Sequence, residues 1–357
     1  MKKAVSVFLL ICIVFSFSLV SCKEKEPEAN VSSQISFYED SSAIAKTETD
    51  GNYTFNFDPY VLPTDVKKAL GTTEHYKNVV DAIINGEESV SVPTRDDYDN
   101  IRFALGENFP YAFLVSNLKY DSADNKVLIS YNYKDEYSSK IDEIKKAVSE
   151  IFIECVAKTD DDALAAVSIY SWLAKNIEIE GNEISKPQNT TSSGIAQRES
   201  SSVATEETDS KQTKFDFYTA LVDKKASDES ISALYSFLLM QLGIESKTVS
   251  YWQDGQYYSW NLVCINYKWY HCDISKEQKE TEGTGLKYFG MNSQRLSEYI
   301  TDKDIYTGQW MWFTSSIPKT KNKRFDDFKS VVSFEIGDER ISIDAFTEEY
   351  SRFTFDF

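Results

Sequence analysis

Between residues 228 and 274 the apolar periodicity switches from that of a helix to that of two strands, and this switch restricts the chain more than any other feature. Ile231, Leu234, Tyr235, Leu238 and Leu242 recur at helical spacing, giving an apolar stripe along a helix that opens at Asp228. An aspartate there takes the N-cap position, accepting backbone N–H groups at the positive end of the helix dipole. Residues 259–265 and 268–274 are apolar and aromatic runs joined at Asn266-Tyr267, the pattern of an antiparallel hairpin with a two-residue turn. In that register Trp260 faces Asp273 and Tyr258 lies diagonal to it, so Tyr258 and Asp273 share one face of the sheet. A helix followed by such a hairpin predicts an α+β core with an antiparallel sheet packed on helices.

Upstream, residues 51–157 read as a smaller α/β unit. Residues 66–84 carry helical periodicity around Val79, Val80, Ile83 and Ile84, and Val127, Ile129, Tyr131 and Tyr133 alternate as a strand opposite Leu118 and Tyr120. A long helix is expected over 141–156, with Cys155 on its apolar face. Asp160, Asp161 and Asp162 precede the next helix as a cap. Residues 184–214 are rich in Ser, Thr, Glu, Gln and Asn, too poor in apolar surface to offset the entropy of ordering, and read as a disordered insertion. From 313 to 357 alternating segments at 331–336, 340–344 and 352–357 predict a β extension.

The central block resembles the transglutaminase-like family. Residues 217–221 resemble its aromatic lead-in, Leu238 to Ile244 its leucine-rich helix ending on Gly-Ile, Tyr258-Ser259-Trp260-Asn261 its His-x-Trp-Asn, and Trp269-Tyr270-His271-Cys272-Asp273 its Trp-Tyr-x-x-Asp. Tyr170 to Ile177 resembles an upstream family helix and Lys287-Tyr288-Phe289 a downstream element. The resemblance implies a papain-like core over 158–312. It also sets the Cys, His, Asp triad on Asp228, Tyr258 and Asp273, with Ala226 and Ser230 where glycines flank the nucleophile. Acyl transfer of this kind needs a thiolate activated by an imidazole. A carboxylate is a far poorer nucleophile toward an amide, and a tyrosine with an ordinary pKa of about 10 is a poor base near neutral pH. The resemblance therefore implies a catalytically inactive member, with no catalytic residue, no metal and no cofactor. Trp252, Tyr258, Trp260 and Asp273 become candidates for lining a ligand cleft. The alternative is a cysteine-type amide hydrolase or transferase with a relocated nucleophile, for which Cys264 and His271, on one face of the hairpin, are the pair to test.

Lys2-Lys3, an uncharged apolar run over 4–20 and Leu19-Val20-Ser21-Cys22 resemble a bacterial lipoprotein signal. Residues 1–21 are expected to be removed, Cys22 lipidated, and 22–50 to serve as a polar tether, leaving the protein lipid-anchored outside the cell membrane. The remaining cysteines, Cys155, Cys264 and Cys272, are odd in number and have no zinc spacing. A formal charge of −19 argues against nucleic acid and anionic lipid as direct partners. A cell-surface protein, peptide or glycan remains the expected ligand.

Overall fold

A computed structural model describes residues 47–49, 52–55, 57–156, 162–180, 216–253, 256–281, 286–300, 320–323, 325, 341–343 and 353–355. Thr47–Thr49 (β1) pairs with Asn52–Thr54 (β2). The helical segment expected over 66–84 is two helices, Thr64–Leu70 (α1) and Glu74–Ile84 (α2). They part at Gly71, whose φ of 67° and ψ of −56° put a tight turn between them, closed by Thr72 N–H donating to Leu70 O at 2.7 Å. Ser89–Ser91 (β3), Val115–Asp121 (β4) and Lys126–Tyr131 (β5) form a sheet ordered β3-β5-β4. Leu118 pairs with Ile129 and Tyr120 with Val127, the register the alternation predicts. Tyr133 lies beyond the strand in the left-handed region. Arg95–Asn108 (α3) precedes this sheet's hairpin and Tyr137–Cys155 (α4) follows it, with Cys155 fully buried on the apolar face of α4.

Two helices form the centre of the molecule. Asp162–Asn176 (α5) is buried on every side from Ala163 to Ala174, as expected for a helix apolar all round. Asp228–Gln241 (α6) buries eleven of its residues, including Ile231, Leu234, Tyr235 and Leu238. A five-residue π-helical turn, Thr219–Asp223, leads into it, and Glu178–Ile179 (β6) pairs in parallel with Lys225–Ala226 (β7).

Against α6 lies an antiparallel sheet ordered β10-β9-β8, from Ser246–Gln253 (β8), Gln256–Ile265 (β9) and Lys268–Cys272 (β10). Alternation divides its side chains. Val263, Ile265, Tyr270 and Cys272 join the buried cluster that runs from Leu62 to Phe325. Trp260, Leu262 and Val249 join a second cluster with Tyr288, Met291, Leu296 and Ile300. Strand β8 is an addition to the expected hairpin. Its buried Ser246, Thr248 and Ser250 are polar, so no apolar alternation announces it. Their partners in the pairing are Val263, Asn261 and Ser259, and two polar groups there are satisfied internally: Ser250 and Ser259 share a hydrogen bond of 2.8 Å, and Asn261 donates to Ser232 O at 2.7 Å.

The β9–β10 turn is the expected two-residue one. Asn266 (φ 49°) and Tyr267 (φ 61°) are both left-handed, the backbone of a type I′ turn. Tyr267 is exposed and holds a backbone conformation that favours glycine. Tyr267→Gly is expected to raise stability by about 0.5–1 kcal/mol, read as a higher urea midpoint at unchanged slope.

Ile274–Thr281 (α7) and the short Ser293–Leu296 (α8) follow the sheet. In the C-terminal part Ile341–Ile343 (β11) pairs with Phe353–Phe355 (β12). Both fall in segments expected to be strands, while 331–336, the leader with Cys22, and the 184–214 insertion lie outside the described residues. No helix among the described residues is long and apolar enough to cross a membrane.

Candidate functional site

Two helix N-termini bring the first and third triad-equivalent positions together. Helix α6 is capped not by Asp228 but by Ser227. Ser227 Oγ accepts from Ser230 N–H at 3.1 Å and Ser230 Oγ accepts from Ser227 N–H at 2.8 Å, a reciprocal capping box. The correction is one residue and has a clear cause: the serine pair satisfies two backbone donors, whereas a cap at Asp228 would satisfy one. Asp228 is the first helical residue, buried, and its Oδ1 lies 3.0 Å from Lys279 Nζ on α7.

Asp273 follows β10 and caps α7, its Oδ1 accepting from Lys276 N–H at 2.9 Å. Its own N–H donates to Tyr288 O at 3.0 Å, and its carbonyl accepts from Tyr170 OH at 2.9 Å. Beneath it, the fully buried Glu277 accepts from Tyr170 OH at 3.0 Å and from Tyr288 N–H at 2.7 Å. Burial pushes the Asp273 carboxyl up to about 7; the Lys276 N–H bond opposes the shift, and the Asp228 charge adds to it. Lys279, which pairs with Asp228, lowers Asp273.

The remaining candidates are placed differently from the expected cleft. Tyr258 is half-buried and packs on the second cluster. Trp260 does not line a cleft: it is fully buried, and its indole N–H donates to His271 Nδ1 at 3.1 Å. A large apolar ring on the inner face of a sheet between two covering layers has no route to solvent. Strand β8 carries Trp252 opposite Tyr257, and the Trp252 side chain lies outside the described ones.

Because Nδ1 of His271 is an acceptor, its proton sits on Nε2, which is buried with no hydrogen-bond partner. Neither ring nitrogen therefore meets a cysteine sulfur, and the Cys264–His271 pair allowed by spacing does not form. Burial pulls the imidazole down to about 3, so the ring is neutral at ordinary pH. Cys264 is buried beside Trp269 in the pairing register. Burial pushes the Cys272 thiol up to about 12 and the Cys155 thiol well above its ordinary value, the reverse of what an activated nucleophile needs. Among the described residues no group of His, Cys, Asp and Glu is arranged to hold a metal ion.

Sequence reasoning missed Lys279 and the Trp260–His271 bond. The first has no motif signal, since Lys279 is one of several charged residues on α7. The second follows from the hairpin register, which puts residues 260 and 271 on one face.

Residues 149–274 match the family model of the transglutaminase-like superfamily. This stretch holds α5, α6, the three-stranded sheet and all three triad-equivalent positions, and it forms a transglutaminase-like domain. Among curated proteins there is no match. Two solved structures are similar: a putative cysteine protease from Cytophaga hutchinsonii and a TGase. The first is 10% identical with a TM-score of 0.26, covering 42% of this chain and 50% of that one. The second is 12% identical with a TM-score of 0.27, covering 44% and 43%. The chain thus spans half or less of the length of either structure.

Proposed function

We propose that the transglutaminase-like domain is a catalytically inactive binding or scaffold module, carried outside the cell on a lipid at Cys22 and directed at a cell-surface peptide or glycan. The observation that carries this reading is the ion pair between Asp228 and Lys279 at the start of α6. That position is where the family sets its nucleophile, at the positive end of a helix. Here it holds a buried carboxylate tied to a cation, and the one imidazole on the hairpin is neutral, buried and turned to Trp260. A carboxylate so held has neither the nucleophilicity toward an amide nor the base that acyl transfer needs. The lipid anchor is supported by the basic residues, apolar run and small-residue-plus-cysteine sequence that end at Cys22.

The test uses the full mature chain. Amine incorporation into glutamine peptides and hydrolysis of unstructured polypeptide are expected at background rates, unchanged by thiol-blocking reagents. The double substitution Asp228→Cys and Tyr258→His is expected to produce thiol-sensitive turnover above that background. A native activity lost on Cys264→Ser or His271→Gln, with folding intact, would establish the relocated-nucleophile enzyme instead. The anchor is read separately by mass spectrometry of the N-terminus, where an unmodified Cys22 in membrane fractions would refute it.

A further inference from the structure

Beyond the triad-equivalent positions, a concavity of about 480 Å³ opens between the C-terminal end of α5, the β6–β7 pair and Gln278 of α7. Three lysines line it, Lys175, Lys224 and Lys225, together with Glu178, Asp223 and Asn176. Such a run of ammonium groups is unexpected on a chain with a formal charge of −19.

The backbone that delivers Lys224 is unusual twice over. It follows the π-helical turn Thr219–Asp223, and Lys224 itself sits at φ 58°, in the left-handed region that side chains other than glycine rarely adopt. Conformations of this kind are strained and persist where surrounding structure fixes them, commonly at functional sites. The result is a half-buried amine held over the face of Trp172, 4.7 Å from the ring centroid, donating to Leu221 O at 2.7 Å. Burial lowers its pKa, with Glu150 and Glu154 opposing. An ammonium kept partly out of water, with Leu221 O as its hydrogen-bond acceptor, has donors left for a ligand in the concavity. Lys225 reaches Glu180 at 3.0 Å, but both side chains are about half exposed. Such surface pairs contribute little to stability and exchange readily for another anion.

A carboxylate is the complement to these donors. The other lining groups ask for something more: Glu178, Asp223 and the Asn176 amide oxygen accept from hydroxyls, while only Ile177 is apolar. Ammonium groups on one side and hydroxyl acceptors on the other, in a volume that holds one or two sugar rings, match a polyhydroxylated acid. We propose that this concavity binds an acidic sugar unit, a hexuronate or a glycan end that carries one, with Lys224 and Lys225 on the carboxylate and Glu178 and Asp223 on ring hydroxyls. The proposal does not rest on the absence of acyl transfer.

Isothermal titration of the mature chain with glucuronate, glucose and acetate reads it directly. Glucuronate is expected to bind one to one, with Kd at least ~tenfold lower than for glucose or acetate, because only it satisfies both sets of groups. Lys224→Met is expected to weaken glucuronate by ~tenfold or more, and raising salt from 50 to 300 mM to weaken it several-fold. Lys175 is exposed, so Lys175→Met leaves the fold intact and is expected to cost about threefold even if the Lys224 variant is unstable. Acetate binding as tightly as glucuronate would reduce the site to a nonspecific cation cluster and overturn the proposal. Glucuronate affinity unmoved by both Lys175→Met and Lys225→Met, or no binding at all, would overturn it equally.

Discussion

Gly290→Ala is expected to destabilise the protein by about 2–4 kcal/mol. Gly290 has φ 63°, and a Cβ built there would lie 2.5 Å from Phe325 Cβ and Cδ2. The backbone conformation alone costs a residue with a side chain about 1 kcal/mol. The contact adds an overpacking cost of about 1–3 kcal/mol, because the obstructing atoms include the root of the Phe325 side chain, not only its far end. Nor can Phe325 yield cheaply: it is fully buried, 4.7 Å from the Tyr270 ring and 5.3 Å from that of Phe289. Gly290 also donates its N–H to Cys272 Sγ at 3.4 Å, so a shift would be felt in β10, next to Asp273. Gly71 supplies the control. It shares a positive φ of 67°, but nothing lies within 4 Å of its added Cβ, so Gly71→Ala is expected to cost only the backbone share. Equal losses in the two variants, measured by urea unfolding, would show that the contact with Phe325 is relieved at no cost.

Gly290 also shows where reading the chain from its sequence stops. Helix α6 and the β9–β10 hairpin with its register are legible because their large apolar residues recur at regular helical and strand spacing, and the two-residue turn fixes the pairing. Strand β8 escapes that pattern because its buried Ser246, Thr248 and Ser250 are polar, and α1 reads on into α2 because the apolar spacing continues across Gly71. Local chemistry was legible to within a residue: the acid at the start of α6 is there, but Ser227 caps the helix. Partners across the chain were not legible. Lys279 meets Asp228 fifty-one residues on, and the burial of Trp260 depends on a second layer from residues 288–300, which no pattern near the motif announces. Hence the site was found in the sequence while its accessibility was not.

Burial acts on two neighbouring groups of β10 and its end with opposite sign, and this sets the pH dependence of stability. His271 is held near 3 by burial, far below the ordinary 6.5. Between those values the unfolded chain binds the proton and the folded one does not, so its contribution is complete above pH 6.5 and is lost as pH falls toward 3. Asp273 is raised from 3.8 to about 7. Here the folded chain binds the proton more tightly, and the contribution is complete below pH 3.8 and lost as pH rises through 7. Each is worth on the order of 4–5 kcal/mol across its range, and the two slopes oppose one another between about pH 4 and 6.5. Removing either group should expose the other. Asp273→Asn keeps a capping side chain on α7, so its stability relative to wild type is expected to rise steadily from pH 4.5 to 7. His271→Gln keeps an acceptor for Trp260, and its relative stability is expected to fall over the same interval. Every other titrating group is common to both variants, so the difference between their urea midpoints at pH 4.5 and at pH 7 isolates the pair. Parallel slopes in the two variants would mean that water reaches one of these groups. At Asp273 that would be an opening beside the first turn of α7, making the old triad end of the sheet accessible to a ligand after all.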